Sequence, residues 1–186
     1  MSYSRNFGMR SFENIVRDAR FRTPAGSTIL IGSPIVLDPN APGFVKAAPA
    51  AAPTGSSAGV AVYEHIQHSG VDPVLLDYSA YPFNTVPANQ YVQMVHGPGA
   101  KIWLKNTAAH TGYDGRVRVA ESLLTIADFT ALKPGDGLTP NGDGTFKKAS
   151  GSDPVWLTIE QIAAGQPTYL DGQTLSLGSV DARFNF

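Results

Sequence analysis

Short runs of alternating apolar and polar residues recur along most of the chain, and glycine or proline ends nearly every run. Successive side chains of a β-strand point to opposite faces, so this alternation predicts strands that bury one face. The 19 glycines and 14 prolines are spread out, which is typical of frequent turns. We therefore predict a mainly β chain, a compact β-barrel- or β-sandwich-like domain with many hairpins and little helix. The alternating runs lie at residues 28–38, 60–66, 91–97, 101–106, 115–124 and 168–186.

Four stretches carry weaker patterns. Residues 125–140 predict a short strand and a turn, and residues 155–162 predict a strand of ambiguous phase with a helical end. The glycines and proline at 97–99 predict a turn whose two flanking strands pair with each other. Residues 46–59 are small, spaced by prolines and almost uncharged, so we expect an exposed, extended loop that buries little surface.

One short pattern occurs twice. The stretch DPNAPGFVKAA spans residues 38–48 and TPNGDGTFKKA spans residues 139–149, with Pro, Asn, Gly, Lys and Ala in register. Proline fixes φ at the start of a turn, asparagine tolerates the left-handed region, and glycine supplies a positive φ where the return strand begins. Both stretches therefore predict β-hairpins. Because such turn residues recur easily, shared hairpin chemistry is favoured over the alternative, duplication of a domain.

The first 24 residues differ from the rest, because their apolar side chains alternate irregularly with arginines. Residues 11–19 predict one or two helical turns, with Ser11 as the N-cap. Aromatic residues and arginine are enriched in protein–protein interfaces, so we interpret residues 1–24 as an extended arm that becomes ordered on a partner. A terminal helix packed on its own domain is the alternative. A β-rich domain at 25–186 follows the arm, whose candidate contact residues are Phe7, Arg10, Phe12, Ile15, Arg17 and Phe21.

Charge and composition narrow the function. The formal net charge is −1, which gives no general affinity for nucleic acid. Only 16% of the residues are charged, which fits either a surface covered by other copies or a polar monomer. Cysteine is absent, so disulfides and thiolate chemistry are excluded. No apolar run is long enough for a transmembrane helix, and the N-terminus lacks the apolar region of a signal peptide. We expect a protein of the cytosol or of a particle assembled there, without specific nucleic-acid or membrane partners.

Two motifs are similar to those of known catalytic or metal-binding sites but lack the neighbouring residues or elements that such sites require. GSSAG at 55–59 fits the G-x-S-x-G of a hydrolase elbow, but that elbow needs a strand before Ser57 and a helix after it. Here coil precedes the serine and a predicted strand follows it. TPNGDG at 139–144 is similar to a calcium loop, but Thr139 and Ser150 stand where carboxylates are required. A tight turn is the better interpretation of the second motif.

Two histidines lie close together in YEHIQHSGVD. On a helix, His65 and His68 would share a face and could bind a metal ion, but on the predicted strand they point to opposite faces. No glycine-rich phosphate loop and no carboxylate pair in an apolar setting is present. The sequence therefore predicts no catalytic residues, no cofactor and no metal.

The opening of the β region resembles a known family. An arm rich in phenylalanine and arginine leads into AGSTILIGSPIVL, a Gly/Pro hairpin with FVKAA, a small-residue loop and the strand GVAVYEH. This order resembles the head decoration, or cement, proteins of tailed bacteriophages. The resemblance covers residues 1–65, and the matching positions are Gly32, Pro34, Val36, Gly43, Val45, Ala48, Gly59, Val60, Ala61 and Tyr63.

The resemblance implies a non-catalytic structural protein of the virion. Such proteins sit on the outer surface of the capsid, often as trimers, and bridge and stabilise neighbouring subunits of the major capsid protein. The arm would then be the anchor, and the protein would act on the virion after synthesis in the host cytoplasm.

Two other classes of function remain open. The first is a virion-associated carbohydrate- or host-surface-binding β module, which requires exposed aromatic residues in one concave patch. The second is a hydrolase centred on Ser57 or His65, which we do not expect. The aromatic candidates for the first class are Trp103, Trp156, Tyr78, Tyr81 and Tyr91.

Overall fold

The predicted mainly β fold is confirmed. A single short helix, α1 (Ile126–Ala131), occurs among the described residues. The strands in chain order are β1 (Phe7–Met9), β2 (Val16–Arg22), β3 (Ile29–Leu30), β4 (Pro34–Leu37), β5 (Val45–Ala47), β6 (Ala58–Val62), β7 (Thr85–Val86), β8 (Tyr91–His96), β9 (Lys101–Thr107), β10 (His110–Thr111), β11 (Val117–Arg118), β12 (Gly137–Pro140), β13 (Phe146–Lys148), β14 (Leu157–Ala164), β15 (Pro167–Thr168) and β16 (Thr174–Phe184). The computed structural model describes residues 7–9, 16–62, 85–86, 88–107, 110–111, 117–118, 123–124, 126–164, 167–168 and 174–186.

The strands form two principal antiparallel sheets. The larger sheet has the order β1-β9-β16-β14-β12-β13, with β15 paired to β16. The smaller sheet has the order β2-β8-β6-β4-β5. Two further pairs, β3 with β7 and β10 with β11, complete the described strands. No helix among the described residues has the length and apolar character needed to cross a membrane.

The smaller sheet curls into a nearly closed barrel. Its two outer strands approach each other where Arg22, at the end of β2, forms a parallel bridge with Phe44, just before β5. The Arg22 N–H donates to the carbonyl oxygen of Gly43 at 2.8 Å. Closure buries apolar side chains inside the barrel and satisfies backbone groups that an open sheet edge would leave unpaired. The interior consists of Ile35, Val45, Ala61, Val92 and Met94, with Phe21 and Leu37 at its margin and Ile29 and Val86 from β3 and β7.

The main core lies between the barrel and one face of the larger sheet. Val60 and Val95 belong to the barrel, whereas Leu104, Leu157 and Val180 belong to the larger sheet, and all five are essentially fully buried. Antiparallel sheets commonly pack one face and leave the other in water, which gives an alternation of apolar and polar side chains. The larger sheet follows this rule, so its outer face is a polar surface.

The repeated turn forms a hairpin in both places, as predicted. In the first, β4 pairs with β5, and in the second, β12 pairs with β13. The aligned glycines Gly43 and Gly144 have φ angles of 83° and 87°, so both supply the left-handed residue. The expectation for asparagine is wrong, because neither Asn40 nor Asn141 has a positive φ. Instead, side-chain hydrogen bonds shape each turn: Asp38 Oδ1 accepts the Asn40 N–H at 3.1 Å in the first.

The repetition extends beyond the turn. Each hairpin lies at one edge of its sheet, and its first strand pairs on the other side with the next long strand, β6 or β14. That strand pairs in turn with β8 or β16. A parallel bridge also reaches each hairpin from the same distance upstream, Arg22 to Phe44 and Leu124 to Phe146. Turn residues alone do not dictate these shared pairings, so the two halves contain a structural repeat.

Two sequence predictions about connections are wrong. The strands β8 and β9 flank the turn at 97–99 but do not pair, because β8 belongs to the barrel and β9 to the larger sheet. The C-terminal strand binds this turn instead: the Gly97 and Gly99 N–H groups donate to the carbonyl oxygens of Phe186 and Phe184, both at 2.9 Å. The predicted strand at the start of 125–140 is replaced by α1, whose Phe129 packs into the main core.

The loop at 46–59 is exposed at seven of its 14 positions, in line with its composition, but it also contributes alanines to the main core. Ala48 and Ala52 are buried in the main core, at 0% and 4% exposure. The small side chains let the backbone approach Trp156, whose indole N–H donates to the Ala52 carbonyl oxygen at 2.7 Å. The alanines therefore serve close packing, so low side-chain volume did not mean exposure here.

Candidate interaction surfaces

Three of the six predicted contact residues lie in described strands. Phe7 is in β1, opposite Leu104, and Arg17 is in β2, opposite Val95. Phe21 is half-buried and packs against the barrel interior, so it contributes to the core of its own domain. The other three fall outside the described residues: Arg10, Phe12 and Ile15.

The N-terminal segment contributes strands to both sheets. The predicted helical turns at 11–19 are wrong for residues 16–19, which belong to β2. The pairing of β2 with β8 supplies the strand that closes the barrel. The boundary between residues 24 and 25 stays a prediction.

Arg22 and Tyr91 form an exposed pair on the barrel. They are opposite each other in β2 and β8. The Arg22 guanidinium lies 5.0 Å from the centre of the Tyr91 ring and donates to the Tyr91 hydroxyl at 3.1 Å. Tyr91 is 55% exposed. Strand alternation explains the arrangement, because Phe21 faces the barrel interior and its neighbour must therefore face out.

The backbone around this pair is firmly held. The Thr23 N–H donates to the Gln90 carbonyl oxygen at 3.0 Å, and the Gln90 N–H donates to Thr23 Oγ1 at 3.1 Å. Together with the bond from Arg22 to Gly43, these contacts fix both strands that carry the pair. Sequence reasoning named Tyr91 only as one of several aromatics and did not select Arg22. The sequence did not show which side chains of residues 16–22 face outward on the strand.

The outer face of the larger sheet carries a second surface. Trp103 on β9 is half-buried and stands opposite Gly8 on one side and Asp181 on the other. Asp181 in turn stands opposite Gln161 on β14. The next pair along these strands, Ala163 and Ser179, has short side chains. A shallow depression of about 430 Å³ results, lined by Gln161, Ala163, Ser179 and Asp181.

A charged cluster lies at neighbouring positions of the same three strands. Glu160 accepts a salt bridge from Lys101 Nζ at 2.7 Å and lies 3.9 Å from Arg183 Nε. Lys101 and Arg183 are themselves opposite each other on β9 and β16. The register of β14 shifts between Ile159 and Gln161, so Glu160 occupies a β-bulge. The bulge turns its carboxylate toward the two cations.

The predicted concave aromatic patch is wrong for Trp156, and Trp103 and Tyr91 do not share one patch. Trp156 is fully buried in the main core, where its ring packs edge-on against Phe146 and Phe186. Trp103 and Tyr91 are accessible but belong to different sheets. Tyr78 and Tyr81 fall outside the described residues. Trp103 stands opposite Asp181, one of the residues that line the depression on the larger sheet.

The GSSAG motif lies in a turn that leads into a strand. Leu37 donates its N–H to the Ser57 carbonyl oxygen at 3.0 Å, and β6 begins at the next residue, Ala58. A nucleophile elbow has a helix at this position. The predicted local structure around Ser57 is therefore confirmed.

The TPNGDG motif uses its carboxylate to hold the turn, which confirms the tight-turn interpretation. Asp143 Oδ1 accepts the Thr145 N–H at 2.9 Å and the Thr145 hydroxyl at 2.6 Å, and Asp143 Oδ2 accepts the Asn141 amide at 3.2 Å. Burial raises the pKa of Asp143, but the hydrogen bonds from Thr145 and Asn141 outweigh it and bring the pKa below its ordinary value.

The histidine pair stays a sequence-based question. His65 and His68 lie outside the described residues, as does Asp72. Within the described part of the chain, no three His, Asp or Glu side chains are placed to hold a metal ion together. No family model, curated protein or solved structure matches the chain.

Proposed function

We propose that this chain is a structural, non-catalytic protein that binds the outer surface of a phage capsid and stabilises neighbouring capsid subunits. Its partners are then the major capsid protein and further copies of itself, in a trimer. The observation that carries the proposal is the exposed Arg22–Tyr91 pair, because Arg22 lies in the N-terminal segment that resembles the arm of decoration proteins and Tyr91 stands opposite it on β8.

The chemistry of the pair suits a protein partner. Tyrosine and arginine are the residue types that most often dominate binding energy at interfaces. Their mutual contact holds both side chains in one geometry, so less conformational entropy is lost on binding. The planar guanidinium can donate two parallel hydrogen bonds to a carboxylate of the partner. A small patch of this kind gives modest affinity for each copy, and many copies on one shell bind with high avidity.

Cosedimentation with empty shells of the major capsid protein tests the proposal. We expect the wild-type chain to pellet with shells in a saturable way. Arg22→Ala and Tyr91→Ala should each weaken binding at least about tenfold, as is typical of central interface residues. The double variant should lose less than the product of the two single effects, because the two side chains act together. Lys133→Ala, which removes an exposed basic side chain after α1, is the matched control and should bind as the wild type.

Point substitutions are needed because deletion of residues 1–22 would remove β1 and β2. The barrel would then open along β8, and the core would lose Phe21. Loss of binding by such a truncation would reflect unfolding as easily as a lost contact. The proposal fails if the folded wild-type chain does not pellet with shells. The role of the pair fails if the Arg22→Ala/Tyr91→Ala variant pellets like the wild type.

A further inference from the structure

We infer that the outer face of the larger sheet contains a saccharide-binding subsite, formed by Trp103, Asp181, Gln161 and Ser179. This site is on the sheet that does not carry the Arg22–Tyr91 pair, and the inference does not depend on capsid binding. Its ligand class is a neutral sugar ring with adjacent hydroxyl groups.

An aromatic ring and two polar side chains lie in one row of the larger sheet. Trp103, Asp181 and Gln161 form this row across β9, β16 and β14. Side chains directly opposite each other have Cβ atoms about 5 Å apart, so the indole and the carboxylate can reach the same small ligand. On its other side Trp103 stands opposite Gly8, which has no side chain. The ring is half-buried, which fixes it and still leaves part of its surface to the solvent.

A shallow depression of about 430 Å³ adjoins this row, and Gln161, Ala163, Ser179 and Asp181 line it. A carboxylate accepts hydrogen bonds from two hydroxyl groups, and an amide both donates and accepts. These polar groups can bond to the hydroxyl groups around the edge of a pyranose ring. The face of the same ring, which carries C–H groups, can pack on an indole.

The carboxylate of Asp181 lines the depression and therefore repels a phosphate or another anion. The cations at neighbouring strand positions, Lys101 and Arg183, are engaged by Glu160. A neutral polyhydroxylated ligand meets no such repulsion, and its hydroxyl groups can donate hydrogen bonds to a carboxylate. The charge at the depression therefore favours a sugar over an anion.

Tryptophan fluorescence tests the inference directly. The chain has two tryptophans, and Trp156 is fully buried, so a sugar-dependent change in emission reports Trp103. The probes are maltose, cellobiose, lactose and chitobiose. We expect at least one to give a saturable change with a dissociation constant on the order of 1 mM. Asp181→Asn should weaken that binding at least about tenfold, since a charged hydrogen-bond acceptor is lost.

Binding by the Trp103 variants needs a method without that fluorophore that detects millimolar affinity, such as saturation-transfer NMR of the sugar that binds the wild type. Trp103→Ala should lose the transfer signal, and Trp103→Phe should keep weaker binding. The emission of Trp156 reports whether both variants remain folded. Tyr91→Ala is the matched aromatic control and should bind sugar as the wild type does. The inference is overturned if none of the four sugars changes the emission, or if Trp103→Ala binds the sugar as tightly as the wild type.

The two proposals fail independently. Arg22→Ala and Tyr91→Ala should lose shells and keep sugar binding. Trp103→Ala should lose sugar binding and keep shells. A sugar-binding protein that never pellets with shells would overturn only the proposed function.

Discussion

The indole N–H of Trp156 donates to the carbonyl oxygen of Ala52, 2.7 Å away, and joins the larger sheet to the loop that follows the first hairpin. The two residues are far apart in the sequence, and both are buried. Phe186 packs edge-on against the Trp156 ring at 5.3 Å and stacks with His96 at 5.9 Å. The C-terminal residue Phe186 therefore packs at the same junction, between the larger sheet and the barrel.

Trp156→Phe should lower the free energy of unfolding by about 1–3 kcal/mol, because the buried Ala52 carbonyl oxygen loses its donor. Urea denaturation followed by circular dichroism measures the change. Trp156→Ala should cost about 3–5 kcal/mol, since it also leaves a cavity. Equal stability of the wild type and Trp156→Phe would show that the hydrogen bond contributes nothing net.

Gly178→Ala should destabilise the fold through a collision. A Cβ atom at this position would lie 2.5 Å from the Ala163 carbonyl oxygen and 2.6 Å from Phe129 Cζ. The residue also has a φ of 132°, so alanine is strained as well. We expect a loss of about 2–4 kcal/mol, from overpacking and strain together.

Gly26→Ala is the matched control for Gly178→Ala. Gly26 has a φ of 80°, but a Cβ atom there would meet no other atom within 4 Å. It should therefore show the backbone strain alone, about 1 kcal/mol. If the two variants lose the same stability in urea denaturation, the close approach of β14, β16 and α1 at Gly178 is not a constraint on the fold.

The Asp136 carboxylate should stabilise the fold at neutral pH and lose this contribution at low pH. Its Oδ2 accepts the Lys148 ammonium at 2.8 Å and the Lys133 N–H at 2.7 Å. The bond from Lys148, followed by that from Lys133, holds the pKa of Asp136 below its ordinary value. A carboxyl with a lower pKa in the folded state contributes its full stability above the unfolded pKa of about 3.9. That contribution is lost as the pH falls through the folded pKa.

Asp136→Asn should therefore lower stability at neutral pH and flatten the acid side of the stability profile. Urea denaturation from pH 2 to pH 7, an interval chosen to bracket the ordinary carboxyl pKa of about 3.9, measures both effects. Lys148→Met should act in the same direction, and the double variant should add little to Asp136→Asn. A profile of Asp136→Asn as steep as that of the wild type would contradict the assignment.

The fold class follows from the sequence because alternation and turn residues are local. The two hairpins at 38–48 and 139–149 could be predicted from Pro and Gly alone, and their aligned glycines have nearly the same φ. Which strands pair with each other was harder to predict from the sequence. Nothing local distinguishes a turn that joins paired strands from the one at 97–99, which leads from the barrel into the larger sheet.

The phase of β14 shows why some strands resist sequence reasoning. Ile159 and Ile162 both face the main core although they are three positions apart, because the bulge at Glu160 shifts the register between them. Such spacing is also that of a helix, so the pattern was ambiguous. The same uncertainty affected the prediction of contact residues. The sequence did not show which side chains of β2 face outward. Phe21 was therefore predicted to contact a partner, whereas Arg22 is the residue that faces outward.

Cryo-electron microscopy of shells mixed with the protein can show the proposed contact itself. We expect extra density on the outer surface of the shell, into which the barrel fits with Arg22 and Tyr91 against the major capsid protein. Copies should surround a local three-fold axis if the trimer is correct. Decorated shells in which the Arg22–Tyr91 edge faces the solvent would contradict the proposed contact, and bare shells at saturating protein would contradict the proposed function.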